Sequence, residues 1–176
     1  MPPASIDTLI KRNREYSKHH VPGLTIEELQ AAGDDSQRTI VITCTDNRIN
    51  PEQFLQTKPQ DGVVICRNPG GRTATALTSI MLYDAFVKVQ DIIVIHHTGC
   101  GCLYFTEEDL RKVHKGRLPD HPEIDDMVFG AFSDVEQSVR DDLEFLKTSP
   151  YIPKALAERS YGYVFDLKTG LLSPVA

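Results

Sequence analysis

The chain has 176 residues, and its hydrophobic fraction of 40% is sufficient for one packed domain that needs no disulfide. Its net charge of -6 comes from scattered acidic residues, and the absence of a basic block or stripe argues against a nucleic-acid partner. Apolar runs such as Ile92–Ile95 are too short to span a bilayer, and residues 1–17 lack the apolar centre of a secretory signal. We therefore predict a cytoplasmic protein without membrane contact, forming one domain over residues 1–176.

Two helices are predicted in the N-terminal region. The first covers Ile6–Ser17, where apolar residues lie opposite basic ones, as is typical of an amphipathic helix. The second covers Thr25–Ala32, because Thr25 and Glu28 have the spacing of a capping box. We expect residues 1–38 to form a helical arm that packs on a partner subunit.

Strands and helices alternate through the middle of the chain. β-Branched and apolar residues predict strands at Thr39–Thr43, Gly62–Cys66 and Asp91–His96, with helices at Pro51–Gln56 and Thr73–Val89 between them. The longer helix is apolar around most of its circumference, which indicates burial by its own sheet and by a second subunit. The prediction is a homodimer or a higher homo-oligomer.

The last third of the chain completes the predicted fold. Its elements are a charged helix at Glu107–Lys115, a loop at Leu118–Pro122, a helix at Ile124–Leu146 and a hairpin of Tyr161–Asp166 with Leu171–Pro174. Strands that alternate with helices favour an α/β fold with a central, mostly parallel β-sheet flanked by helices. The hairpin predicts an antiparallel edge.

Two thiols and an imidazole follow predicted strands. Cys44 comes directly after the strand Thr39–Thr43, and His97 comes directly after Asp91–His96, with Cys100 three residues further on. Two thiolates and one imidazole suit zinc, and three protein ligands leave a fourth tetrahedral position for water. Taken singly, each residue is more often a core thiol or a polar residue at a strand end, so the pattern alone leaves that alternative open.

The motifs around these residues resemble the β-class carbonic anhydrase family, and its short-chain branch in particular. The matching segments are Val41-Ile42-Thr43-Cys44-Thr45-Asp46-Asn47-Arg48, Arg67-Asn68-Pro69-Gly70-Gly71, His97-Thr98-Gly99-Cys100-Gly101 and Gly162-Tyr163-Val164-Phe165-Asp166. The resemblance implies a β-carbonic anhydrase-like domain with one zinc ion per chain, bound by Cys44, His97 and Cys100. It also implies that Asp46 orients a zinc-bound hydroxide and in some states closes onto the metal.

Asp46 and Arg48 are the candidate catalytic pair. Two residues apart in an extended stretch, they point the same way and can form a bidentate ion pair. Gly70 and Gly71 can supply backbone N–H groups to an oxyanion, since glycine adopts the required conformations. The sequence departs from the common family pattern at Pro69, which removes one amide donor, and at Gly99, where the family usually has Asp.

Further thiols and imidazoles receive simpler interpretations. Cys66 ends an apolar strand and is predicted to lie in the core, and Cys102 is predicted to be a small apolar filler. His96 directly precedes the candidate ligand His97, so it points the opposite way on a strand. We expect His96 to have a packing or interface role.

Three functions are compatible with these residues. The first is reversible hydration of carbon dioxide to bicarbonate, and the second is hydrolysis of carbonyl sulfide, because the resembling branch includes carbonyl sulfide and carbon disulfide hydrolases. In both, zinc-bound hydroxide attacks a small linear substrate. The third is a zinc-binding protein without catalysis, which the intact pair of Asp46 and Arg48 argues against. The ligands do not discriminate between the first two. Hydration of carbon dioxide is the leading prediction, and hydrolysis of carbonyl sulfide is the close alternative.

Overall fold

The structure is a computed structural model that describes residues 3–31 and 38–176, and these form two compact units within those ranges. The first unit contains helices α1 (Ile6–Ser17) and α2 (Ile26–Ala31). Ser5 caps α1 by accepting a hydrogen bond from the Thr8 amide. Thr25 and Glu28 form the predicted capping box at α2, with bonds of 2.7 and 3.2 Å. The predicted last residue of that helix, Ala32, lies outside the described residues.

The second unit is built on a five-stranded sheet with the strand order β2, β1, β3, β4, β5. Neighbouring strands are parallel except for β4 and β5, which are antiparallel. The predicted α/β fold, with a mostly parallel sheet and an antiparallel C-terminal edge, is confirmed. The strands are β1 (Arg38–Cys44), β2 (Val63–Asn68), β3 (Val89–His97), β4 (Ser160–Phe165) and β5 (Leu172–Val175).

Helices cover both faces of this sheet because side chains alternate between the two faces along each strand. On one face, Ile40, Ile42, Ile92 and Val94 pack with apolar residues of α4 and α6. On the other face, Val41 and Ile95 pack with Ile49, Phe54 and Phe165. The helices are α3 (Pro51–Phe54), α4 (Thr73–Phe86), α5 (Glu107–Arg117), α6 (Val135–Thr148) and α7 (Lys154–Ala157), with 3-10 turns at Pro59–Asp61, Pro69–Gly71, Gly101–Leu103 and Pro122–Asp126.

The order of the strands creates a switch point between β1 and β3. From β1 the chain passes to β2 on one side and then crosses to β3 on the other side. Ligands of open α/β sheets bind at such a point, outside the carboxyl ends of the strands. Because Thr43 pairs with Ile95 in the register of β1 and β3, Cys44 and His97 both lie at the carboxyl ends of these two strands.

The prediction of one helix over Ile124–Leu146 is wrong in its first half. Pro122–Asp126 is a 3-10 turn, residues 127–134 are not helical, and α6 begins at Val135 after the N-cap Asp134. The Glu107 carboxylate accepts hydrogen bonds from the amides of residues 129–131, so these amides cannot serve a helix. Gly130 also has a φ of +84°, which interrupts helical geometry.

Two boundaries of α4 and β3 also differ from the prediction. Helix α4 ends at Phe86, three residues earlier than predicted, because Val87 is extended and β3 already begins at Val89.

Within the described ranges, no helix combines the length and the apolar composition needed to cross a bilayer.

Candidate metal centre

Three potential metal ligands meet at the switch point. Cys44 is the last residue of β1, His97 is the last residue of β3, and Cys100 directly precedes the 3-10 turn Gly101–Leu103. All three are buried, and their ligand atoms lie within 4.8 Å of one another. Among the described residues, this is the cluster whose His, Cys, Asp or Glu atoms are close enough to hold one metal ion. The sheet thus brings together the three residues predicted as ligands.

The geometry of these donors fits a tetrahedral metal ion. The Sγ atoms of Cys44 and Cys100 are 3.9 Å apart, and two thiolates bound tetrahedrally at zinc–sulfur distances of about 2.3 Å would be separated by about 3.8 Å. His97 Nδ1 lies 3.0 Å from the Thr98 carbonyl, which can only accept, so Nδ1 carries the proton. Its Nε2 is buried without a hydrogen-bond partner, leaving a free lone pair for a metal.

The two thiols influence each other's ionisation. A hydrogen bond with Cys100, followed by burial, raises the pKa of Cys44 to about 11. A hydrogen bond with Cys102 raises the pKa of Cys100. Thiols bind metals as thiolates, so a metal ion at this centre must displace both protons.

Asp46 and Arg48 form a tight ion pair beside the three ligands. Arg48 Nε donates to both carboxylate oxygens of Asp46, at 2.9 and 3.1 Å, and Nη2 donates to Oδ2. The Arg48 amide adds a 2.9 Å bond to Oδ1. These contacts lower the pKa of Asp46 to about 2, so the carboxylate is ionised at neutral pH. Oδ2 lies 3.8 Å from His97 Nε2, which places a negative oxygen next to the free lone pair.

Gly99 and Arg67 anchor this pair and the adjoining strand end. Arg48 Nη2 donates to the Gly99 carbonyl at 2.8 Å, and Gly99 has a φ of +64°. The backbone carbonyl of Gly99 therefore accepts a hydrogen bond from the ion pair of Asp46 and Arg48. Arg67 donates to the carbonyls of Cys44 and Asp46, at 3.0 and 2.7 Å. No function was predicted for Arg67, although its place near the carboxyl end of β2 put it beside the end of β1.

The turn Pro69–Gly71 packs directly against the end of β1. Gly70 and Gly71 are buried and have φ values of +74° and +73°. A Cβ atom on Gly71 would lie 3.0 Å from the Thr43 backbone, which is closer than side chains normally approach. The positive φ together with this close packing favours glycine at position 71. That Gly70 and Gly71 also bind an oxyanion stays a prediction.

In α/β domains, the switch point is where ligands bind. Two thiols and an imidazole at that point are the donor set of a metal-dependent enzyme. The family model described as carbonic anhydrase matches residues 39–172. A carbon disulfide hydrolase of an Acidianus species is 31% identical, with the alignment covering 93% of this chain and 85% of the relative. The chain belongs to the β-carbonic anhydrase family, as its sequence motifs predicted.

Two solved structures of this family share the fold. A carbonic anhydrase from Streptococcus mutans superimposes with a TM-score of 0.80 at 30% identity and covers 100% of both chains. The apo form of a carbon disulfide hydrolase superimposes with a TM-score of 0.67 at 29% identity, covering 97% of this chain and 89% of the other. The family therefore includes enzymes that are named for different small substrates.

Proposed function

We propose that this protein is a zinc enzyme that catalyses the reversible hydration of carbon dioxide to bicarbonate. One observation carries the proposal: the unpartnered His97 Nε2 faces two thiols, with the ionised Asp46 beside it. Two sulfurs and one nitrogen suit zinc, and three ligands leave the fourth position that a catalytic site requires. A structural zinc site would use a fourth protein ligand.

Each residue has a distinct task in this proposal. Cys44, His97 and Cys100 hold the metal, and a bound zinc ion lowers the pKa of water toward neutrality, so that a nucleophile exists at physiological pH. Asp46 accepts a hydrogen bond from the attacking water and thereby orients its lone pair toward the carbon of the substrate. Arg48 occupies both oxygens of Asp46 and, through Gly99, ties this carboxylate to the loop between His97 and Cys100.

Hydrolysis of a sulfur analogue of carbon dioxide is the second candidate. The relative from Acidianus, named a carbon disulfide hydrolase, supports it by covering 93% of this chain. Carbonyl sulfide and carbon disulfide are linear molecules with an electrophilic central carbon, so Asp46 would orient water for them in the same way. Carbon dioxide ranks first because the Streptococcus mutans carbonic anhydrase matches the entire chain with the higher TM-score.

We also propose that the enzyme is at least a homodimer. Helix α4 buries Thr73, Ala76 and Ile80 against the core. Its other side exposes Met81, Leu82 and Phe86, with 79% of Phe86 accessible. Adjacent apolar side chains on one helix are typical of a surface that a second copy covers. That residues 1–38 pack on the partner stays a prediction.

Substitution of single cysteines tests the proposed centre. Cys44→Ala removes a metal ligand, whereas Cys66→Ala is the matched control, because Cys66 is a β2 residue outside the ligand cluster. We expect the control to keep one zinc ion per chain and the wild-type rate of carbon dioxide hydration. Cys44→Ala should lose both. Full zinc content and activity in Cys44→Ala would show that the centre is misplaced.

A further inference from the structure

His96 is held by hydrogen-bonding groups on the face of β3 opposite to His97. Its ring is completely buried. Nδ1 lies 2.7 Å from Ser138 Oγ, and Nε2 lies 3.2 Å from the Gly71 carbonyl and 3.1 Å from Asp142 Oδ2. Partners on both nitrogens fix the ring in one orientation, so His96 does more than fill space.

Asp142 extends this network to the turn before α4. Its Oδ1 accepts a 2.9 Å hydrogen bond from the Thr73 hydroxyl, and its Oδ2 lies 3.4 Å from Arg72 Nε. The Arg72 backbone is in turn bound at both its N–H and its carbonyl by the Asn68 side chain. The buried carboxylate on α6 therefore joins that helix to the end of β2 and the beginning of α4.

The network acts on the backbone that carries two of the candidate metal ligands. His96 binds the carbonyl of Gly71, and Gly71 packs so closely against the backbone of Thr43 and Cys44 that an added Cβ atom would lie 3.0–3.1 Å from it. The same ring belongs to the residue directly before His97. A change in its orientation would thus shift the end of β1, where Cys44 lies, and the direction of the His97 side chain.

We infer that His96 is a positioning residue for the metal centre, and that its hydrogen bonds to Gly71 and Ser138 set the relative placement of Cys44 and His97. The inference rests on the proposed function, since it requires a metal at these ligands. The His96 ring contacts Ser138, Gly71 and Asp142 on the face of β3 opposite to the candidate ligands, so it acts on them only through the backbone.

The test measures zinc affinity by competition with a chromophoric chelator, and coordination geometry by the visible spectrum of the cobalt(II)-substituted protein. His96→Phe keeps a ring of similar size but removes both hydrogen bonds. We expect its zinc affinity to fall about 10-fold or more, the magnitude typical of residues that orient metal ligands, and its cobalt bands to shift. His96→Gln can still donate to the Gly71 carbonyl, so it should recover part of the affinity.

Val94→Ala is the matched control for a merely structural effect. Val94 is buried on the same face of β3, two residues earlier, so its truncation loosens the core without removing a hydrogen bond to the turn. We expect the wild-type affinity and cobalt spectrum in this variant. Equal losses in Val94→Ala and His96→Phe would overturn the inference, as would wild-type values in His96→Phe.

Two further results keep the test decisive. If His96→Phe does not fold, Ser138→Ala takes its place, because it removes the partner of Nδ1 and leaves the Gly71 carbonyl in place; besides that bond it removes only the hydroxyl's bond to the Val135 carbonyl, within the first turn of α6. Weaker zinc binding by Ser138→Ala would support the inference, and unchanged binding would overturn it. A wild-type chain that takes up no zinc would overturn the proposed function together with the inference, whereas normal wild-type binding with unaffected variants would overturn the inference alone.

Discussion

Glu107 anchors the segment of residues 127–134, and its removal gives a sharp prediction for stability. Its Oε1 accepts hydrogen bonds from the amides of Gly130 and Ala131, at 2.8 and 2.9 Å, and its Oε2 accepts one from Phe129 at 3.0 Å. In Glu107→Gln, the amide oxygen can still serve two of these donors, but the new NH₂ group faces the third. Loss of one hydrogen bond to a charged group predicts destabilisation by about 2 kcal/mol.

The pH dependence of this effect follows from the pKa of Glu107. Burial raises this pKa, but the three amides and Arg111 together lower it by more, so the net shift is downward. A carboxyl group with a lowered folded-state pKa stabilises the fold above its unfolded pKa of about 4.3 and loses that contribution as pH falls through the folded value. The difference in the free energy of unfolding between wild type and Glu107→Gln should therefore be constant from pH 7 to pH 5 and become smaller below about pH 4.

Urea unfolding at these pH values measures this difference in the free energy of unfolding, with Glu108→Gln as the matched control. Glu108 lies next to Glu107 in the first turn of α5 and is exposed. Both substitutions remove one negative charge from the helix N-terminus, so the contacts of Glu107 with residues 129–131 and its 3.3 Å ion pair with Arg111 are what distinguish them. Equal stability of the two variants at pH 7, or a gap that widens on acidification, would refute the role assigned to Glu107.

Three other perturbations test the site and the assembly. Asp46→Ala should keep its zinc but lose about 100-fold or more in kcat, because the carboxylate orients water without holding the metal; metal analysis beside stopped-flow hydration assays checks this, and a wild-type rate would contradict it. Gly71→Ala should destabilise the fold by about 2 kcal/mol in urea unfolding, because of the positive φ and the nearby Thr43 backbone. The control Gly116→Ala should unfold no earlier than wild type, because nothing lies near its added methyl group. Light scattering should give at least twice the chain mass, and an active monomer at high dilution would exclude the proposed dimer.

The placement of the candidate metal ligands could be predicted in part, because local patterns mark the ends of parallel strands, although the choice of these residues as ligands came from the resemblance to the family. β-Branched runs located the ends of β1 and β3, and the carboxyl ends of parallel strands share one edge of the sheet. Cys44 and His97 were therefore expected at the same end of the sheet, whereas their direct proximity depends on the pairing of β1 with β3, which no sequence pattern predicted. Asp46 and Arg48 followed from their spacing in an extended stretch.

Features that depend on distant partners were not predictable in this way. The segment 127–134 has residues that a helix would accept, but its amides bind Glu107, more than twenty residues earlier. His96 was correctly expected to point away from His97. Its hydrogen-bond partner Ser138 and the neighbouring carboxylate of Asp142, however, lie on a helix more than forty residues later. Such contacts are fixed by tertiary packing and leave no periodic signal in the sequence.

The most direct test of the proposed function compares substrates on one zinc-loaded preparation. We would measure kcat/KM for carbon dioxide, carbonyl sulfide and carbon disulfide, because this ratio reports differential binding of the transition states. We expect one zinc ion per chain and the highest kcat/KM for carbon dioxide. Release of sulfide from either sulfur substrate, with carbon dioxide hydration at the background rate, would contradict it.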